Sequence, residues 1–498
     1  MSLNISKSGY CRAVQCPKMQ WLKKYRSEEF DESVMNQSVL ENGHKVGKLA
    51  MGLLGEYVEV PFDEELDNMI NCTNELIAKG TPIITEASFA YNGLFCSVDI
   101  LKNLGSNCAE IYEVKSSTSV HDIYYDDAAY QNYVLEKCGF DVKKVCLVHI
   151  NNQYIRHGEI ELDKLFIIED ITEDVKEKFD ETEEYIGYIK QYMQQTDEPA
   201  CPIFVNCFEN KKRGIHDCGF FRYCTRDLPK PNVFDIGGMY NKTKLNYYNQ
   251  GIVSFEDLAD VKDINPKYLL QVKHEIHDLP DHIDKNKIKS FMNSLTYPLY
   301  FLDFESVNPA IPFYDDSKPY SQIVFQYSLH YIENEGGELK HKEYLAYPDK
   351  DPRKKFAEQL CKDIPENACV LVYNSTFEKT RIKELSKLFP DLAERLMNIN
   401  EHIKDLMVIF RDNSYYTKAM QGSYSIKYVL PALFPDDPDL DYHNLDGVQN
   451  GTEASAAFMK MYEIKSAEEM KALRQQLLKY CGLDTFAMVK IWQKLNEI

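Results

Sequence analysis

The order of apolar and polar positions divides the chain into two α/β stretches. TPIITEASFAYNGLFCSVDIL (81–101) alternates as strand, turn, strand, and AEIYEVKSSTS (109–119) adds a third strand with a polar end. GHKVGKLA (43–50) and DDAAYQNYVLEKCG (126–139) carry helical spacing on either side. TEDVKEKFDETEEYIGYIKQYMQQ (172–195) is charged and helical, which predicts a solvated helix. RDLPKPNVFDIG (226–237), with two Pro and a Gly, predicts a linker. NYYNQGIVSFEDLADVKDINPKYLLQVKHEI (246–276) reads as short helices with a turn at Gly251, a helix-hairpin-helix-like connector. From Tyr297 the pattern restarts. A buried strand in YPLYFLDFES (297–306) pairs with SQIVFQYSLHYI (321–332). ACVLVYNSTFEKTRIKELSKLF (368–389) gives strand, turn and amphipathic helix, and QLLKYCGLDTFAMVKIWQKL (476–495) gives a late helix.

This predicts an α/β multidomain chain, divided as 1–228, a helical connector at 229–293, and 294–498. With 498 residues, more than one core is expected. The sequence contains no apolar run long enough to span a bilayer and no signal-peptide pattern, so a cytoplasmic protein without a membrane partner is expected. The net charge of −21 argues against a general polyanion binder. It does not argue against a nuclease, whose metal-binding carboxylates add to the negative count.

The strand near residue 300 poses a physical problem. Asp303 and Glu305 stand at i and i+2, on one face of an apolar strand. Burying two carboxylates is costly unless a cation compensates them. Glu378 opens a helix just past the next strand, and Tyr480 and Asp484 share a helix face at i and i+4. Taken singly, Glu378 reads as a helix-dipole residue and Asp484 as a surface acid. HIKDLMVIF carries a further acid, Asp405, and Lys427 lies in the helical stretch GSYSIKYVLPALFP (422–435).

In order and context these residues resemble the DEDD family of 3′–5′ exonucleases, which have a ribonuclease H-like fold with a mixed sheet and flanking helices. DFE (303–305), YNSTFE (373–378) and YCGLD (480–484) match its three motifs, except that Glu378 stands where Asp is usual. The resemblance implies Mg²⁺ or Mn²⁺ held by Asp303, Glu305 and Asp484, with Glu378 completing the shell. It implies that Tyr480 orients or helps deprotonate the attacking water. Two divalent ions can activate a water and stabilise the leaving oxygen of a phosphodiester.

In the first stretch, Glu113 and Lys115 by themselves read as an ordinary ion pair on one strand face. With Asp99 on the preceding strand they resemble the PD-(D/E)xK superfamily, whose core is restriction-endonuclease-like. His44, Glu86 and Gln131 resemble the companion residues of its RecB-like branch. That resemblance implies Mg²⁺ bound by Asp99 and Glu113, with Lys115 steadying charge at phosphate and His44, Glu86 and Gln131 completing the site.

The sequence has fourteen Cys. In a cytosolic chain most are expected to be core residues. The exceptions lie in QCPKMQWL near the start and in CPIFVNCFENKKRGIHDCGFFRYCTRD (201–227). They resemble the iron–sulfur staple of RecB-like nucleases, including the CRISPR-associated and AddB-type ones. This implies a [4Fe–4S] cluster on Cys16, Cys207, Cys218 and Cys224, with Cys11 as a substitute for Cys16. The competing reading is a local Zn²⁺ site drawn from Cys201, Cys207, His216, Cys218 and Cys224.

The whole layout resembles an uncharacterised bacterial family joining these two modules. The resemblance implies a metal-dependent nuclease with nucleic acid as its partner, DNA ahead of RNA, and a role such as DNA repair. The alternatives are an RNA-processing exonuclease, or a nucleic-acid-binding scaffold with one or both sites inactive.

Overall fold

The computed structural model describes residues 5–35 and 37–498. The chain forms two compact units with mixed α/β architecture. One comprises Met1–Leu228 with Pro309–Tyr320; the other comprises Pro229–Asn308 with Ser321–Ile498. Residues 229–293, expected to stand apart as a connector, are part of the second unit. Their short helices Asn241–Asn249, Phe255–Ala259 and Pro266–His277 bury Val233, Ile236, Phe255, Leu258 and Val272 in a small core of their own. The expected linker at 226–237 is therefore partly core. Asn232 and Asp235 cap its single 3₁₀ turn reciprocally.

In the first unit, a seven-stranded sheet runs in the order Val58–Glu59, Ile83–Tyr91, Leu94–Gly105, Cys108–Lys115, Asp141–Ile150, Phe166–Asp170, among the described residues. Ile5–Ser6 pairs in parallel with Leu94 and Phe95. One face of the hairpin 83–105 packs on helix Asp122–Lys137, which crosses over between the parallel strands 108–115 and 141–150, and Ile83 and Ile100 enter a second core cluster. That helix is buried along most of its length, from Asp127 to Leu135. The predicted solvated helix at 172–195 is two helices, Thr172–Glu177 and Phe179–Tyr192. Their Val175, Ile186 and Ile189 enter the same core.

In the second unit, the sheet order is Lys340–Leu345, Ile323–Ile332, Leu299–Val307, Cys369–Val372, Ile403–Asp405. The first three strands are antiparallel, and the last two run parallel to the central one. The central strand sends Tyr300, Leu302 and Phe304 to one face, where Phe356, Ile382 and Leu396 cover them. Phe304 meets Phe356 edge-on at 5.1 Å, a contact worth about 0.5–1.5 kcal/mol beyond burial. The other face carries Phe301, Asp303 and Glu305 and is covered by the long helix Ala467–Asn496, with Phe301 edge-on to Trp492 at 5.7 Å. Two-residue periodicity thus sends the apolar set to one layer and the acids to the face that the late helix closes.

Candidate metal centres and the cysteine pocket

Asp303, Glu305 and Asp484 each offer a carboxylate oxygen within 4.8 Å of the others. Among the described residues they are the one group of three or more potential ligands packed this closely. Strand register brings in the first two, and the helix face from Tyr480 to Asp484 brings in the third. Glu305 is 7% exposed and Glu378 is 3% exposed. Glu378 sits in the first turn of Thr376–Leu388, close enough for its charge to act on both Asp303 and Glu305. Its Oε2 has no hydrogen-bond partner although it is buried.

Among the described residues, none of these four acids makes an ion pair with a Lys, Arg or His. Burial, followed by the neighbouring Asp484, Glu305 and Glu378 charges, pushes Asp303 well above the ordinary carboxylate range. Burial and the charges of Asp484 and Glu378 do the same to Glu305, with Lys427 opposing. Burial pushes Asp484 up to about 7 even though Tyr442 and Lys427 favour its charge. Burial also takes Glu378 up to about 8, with Asp405 adding to the rise and Arg381 opposing it. Uncompensated buried carboxylates of this kind create a strong preference for a divalent cation with oxygen ligands.

The surrounding residues hold the acids in place. Tyr442 Oη donates to Asp484 Oδ1 at 2.7 Å, and the Tyr442 and Tyr480 rings meet at 6.1 Å. Burial, and then the three acid charges, raise Tyr480 far above an ordinary phenol. In the metal-free site Tyr480 therefore keeps its proton, and its hydroxyl is placed to donate to Asp484. Asp405 is spent on backbone geometry. Its Oδ1 accepts from the Asn374 and Met407 N–H groups, each at 3.0 Å. Asn374 itself has φ 72°, a left-handed turn that Asn tolerates better than most residues. Lys427 is exposed on helix Ile426–Leu433.

The first unit gathers Asp99, Glu113, Lys115 and Gln131 as expected. Asp99 opens the sheet locally: its Oδ2 accepts from the Val114 backbone N–H at 2.7 Å, where a ladder bond would otherwise form. Glu113 is 1% exposed. Its Oε1 accepts from Lys115 Nζ at 2.7 Å, and its Oε2 accepts from Gln131 Nε2 at 2.7 Å. Two partners went unnoticed in the sequence. Asp127 binds Lys115 and also accepts from Gln131 at 3.2 Å. Lys7 Nζ donates to Glu113 Oε1 at 2.8 Å and lies 3.8 Å from Asp99 Oδ1. Asp127 could have been read from its i−4 spacing to Gln131. Lys7 carries no signal of its own, because strand pairing of Ile5–Ser6 with the hairpin is what delivers it.

Burial works against the Glu113 charge, yet Lys115 and Lys7 hold its carboxyl well below the usual range. Burial and the Glu113 charge push Asp99 up to about 7, with both lysines opposing. Glu86, at φ 55°, lies opposite Asp99 between the paired positions 85/100 and 87/98. Burial raises its carboxyl, while Lys7 and the exposed His44 favour its charge. His44 is thus near Glu86 rather than among the buried groups.

A third set closes the first unit. Cys16, Cys201, Cys207, Cys218 and Cys224 line one small cavity with Met19, Leu22 and Phe220. The Cys16 and Cys201 Sγ atoms are 4.0 Å apart. Reciprocal amide bonds, Gln15 Nε2 to Asn206 O and Asn206 Nδ2 to Gln15 O, both 3.0 Å, tie the N-terminal helix to this segment. Two expectations are corrected. His216 is exposed and does not line the cavity, so the local zinc set loses its histidine. Cys11 faces Asp127, Lys115 and Lys7 instead, because the helix Lys7–Gln15 turns it to the acid site.

Residues 300–425 match the model of a domain of unknown function (DUF2779). That span takes in Asp303, Glu305 and Glu378 and stops short of Asp484. The chain is 28% identical over 223 residues to "Uncharacterized protein MG366" of Mycoplasma genitalium, covering 41% of this chain and 33% of the relative. It is 27% identical over 223 residues to the homolog of that protein in Mycoplasma pneumoniae, with the same coverage. It is 25% identical over 156 residues to "Uncharacterized protein UU173" of Ureaplasma parvum, covering 29% of this chain and 22% of the relative. The chain thus spans a third or less of the length of these curated relatives. No solved structure gives a significant match. Among the described residues, no helix is long and apolar enough to cross a membrane.

Proposed function

We propose that this protein is a metal-dependent nuclease with two separate sites, acting on nucleic acid and on DNA ahead of RNA. In this reading the second unit is a ribonuclease H-like, DEDD-type 3′–5′ exonuclease, and the first is a RecB-like PD-(D/E)xK nuclease. One observation carries the proposal: Asp303, Glu305 and Asp484, from a strand and a helix, bring carboxylate oxygens within 4.8 Å of one another beside the buried Glu378, and none of the four is held in an ion pair among the described residues. A structural role would have paired them.

Mg²⁺ or Mn²⁺ held by Asp303, Glu305 and Asp484, with Glu378, would supply charge stabilisation at the phosphate and activation of water. The chain's own residues do the rest. Tyr442 fixes the Asp484 carboxylate, Tyr480 donates without ionising, and Lys427 adds a positive charge at the rim. Asp484 and Glu378 must lose their protons to act as ligands, so metal affinity rises with pH up to about 8.

The five-thiol cavity fits a metal by its donor set. Cys16, Cys207, Cys218 and Cys224 would hold a [4Fe–4S] cluster, and Cys201 is a further donor. Its role is to fasten the two ends of the first unit. An anaerobic preparation should be brown, with broad absorption at about 400 nm; one mole of zinc and no iron would replace this assignment.

End-labelled DNA and RNA substrates, tested with Mg²⁺ or Mn²⁺ against wild type, D99A, D303A and the double variant, assign activity to each unit. Loss of 3′-end trimming in D303A alone supports the reading. Undiminished cleavage in the double variant overturns it. The Lys7 contact favours a second reading for the first unit, a nucleic-acid-binding site whose acids are already neutralised.

A further inference from the structure

In the first unit, two ammonium groups meet Asp99, Glu113 and Asp127. Glu113 Oε1 receives both Lys115 Nζ at 2.7 Å and Lys7 Nζ at 2.8 Å. The two lysines are not equivalent. Lys115 is held by Glu113 and Asp127 together and sits over the Tyr124 ring at 5.1 Å. Lys7 bridges Glu113 and Asp99, the two acids a divalent ion would use, and its side chain keeps 24% of its surface exposed. It is the first residue of helix Lys7–Gln15, and Ser6 caps that helix by accepting from the Gly9 N–H. Its backbone is thus fixed by the cap and by the strand pair Ile5–Ser6, while its long side chain can swing.

We propose that Lys7 is a tethered counter-ion that occupies the cation position between Asp99 and Glu113 and is exchanged for a divalent ion when the site loads. The inference rests on the metal-dependent reading of the first unit and adds a positioning residue to it. The geometry favours an exchange. Lys7 Nζ lies 2.8 Å from Glu113 Oε1 and 3.8 Å from Asp99 Oδ1, so a divalent ion entering between these acids would meet its like charge at contact distance. Of the two, Lys7 costs less to displace, because it leaves no buried partner unpaired: Glu113 retains Lys115 and Gln131, and Asp99 retains the Val114 N–H. Once released, the ammonium remains tethered within one side-chain length of the acids, where it adds positive charge for an incoming phosphate.

The test is Mn²⁺ binding, read by electron paramagnetic resonance on the full-length chain. D303A/D484A serves as the background, so that the second site is silent. K7M should bind Mn²⁺ at least roughly tenfold more tightly than the Lys7 form, since a competing like charge is gone. K7R should restore weak binding, and E113Q should abolish binding in every background. Dissociation constants for K7M and Lys7 forms that agree within about twofold would overturn the exchange while leaving the metal site itself in place. If neither form binds Mn²⁺ through Glu113, the metal-dependent reading of the first unit falls as well. A purely structural Lys7 would lower the melting temperature in K7M without tightening Mn²⁺ binding, and that result also counts against the proposal.

Discussion

The two acid clusters begin from the same ingredients and reach opposite electrostatic solutions. In the first unit, Glu113 is almost fully buried yet ionised, because two ammonium groups and a carboxamide surround it. In the second unit, Asp303, Glu305, Glu378 and Asp484 face one another without an ion pair, and burial drives all four carboxyl groups upward. The first cluster is therefore stable by itself and must give something up to take a metal. The second stores repulsion that only protons or a multivalent cation relieve. Counting carboxylates does not identify a metal site; the positive charges left out of it do.

The sharpest way to break this comparison is to remove a carboxylate from each cluster. D303A should lower metal-dependent 3′-end hydrolysis by roughly 10³-fold or more, while D99A leaves that activity within about twofold. Equal losses in both would mean that the two clusters serve one reaction. A smaller effect is expected one contact away. Y442F leaves every ligand in place but frees Asp484 Oδ1, so it should weaken Mn²⁺ binding at the second site by about 10–100-fold, read by titration.

The pH dependence of stability sharpens the contrast further. A carboxyl raised in the folded state binds more protons folded than unfolded, so its contribution to stability falls as pH rises. For Asp484 and Glu378 the fall runs from about 4, the unfolded value, through about 7 and about 8. In EDTA the second unit should therefore melt lower at pH 8 than at pH 5. D484N should raise that melting temperature at pH 8 by roughly 2–8 °C, from about 1–2 kcal/mol, while destroying metal binding. Glu113 has the opposite sign: its depressed carboxyl contributes stability above about 4, which is lost as pH falls below that. E113Q should therefore destabilise the first unit at neutral pH. A D484N variant that melts lower than wild type in EDTA would show that the acids are compensated after all.

Much of this was legible in the chain. The period-two pattern around 299–307 placed Asp303 and Glu305 on one face, and the i, i+4 spacing of Tyr480 and Asp484 put them on one helix side. The hairpin 83–105 and the strand bearing Glu113 and Lys115 were equally plain. What stayed hidden were contacts that depend on tertiary delivery. Tyr442 arrives from a 3₁₀ turn with no periodicity, and Lys7 opens a helix that is placed by a two-residue strand too short to register. The helices at 172–192 looked solvated because their apolar stripe is narrow, yet Val175, Ile186 and Ile189 are core. The connector misled for a related reason: loop-forming residues at 226–237 set a bend, and nothing local says whether a bend is packed.

The account rests on the second cluster needing a divalent cation. The most direct measurement is isothermal titration of Mn²⁺ into the metal-free, full-length chain at about pH 7.5. Wild type should show a binding event that persists in D99N/E113Q and disappears in D303N/D484N. A D303N/D484N chain that keeps every event seen in wild type, or a wild-type chain that takes up no Mn²⁺, would contradict the account.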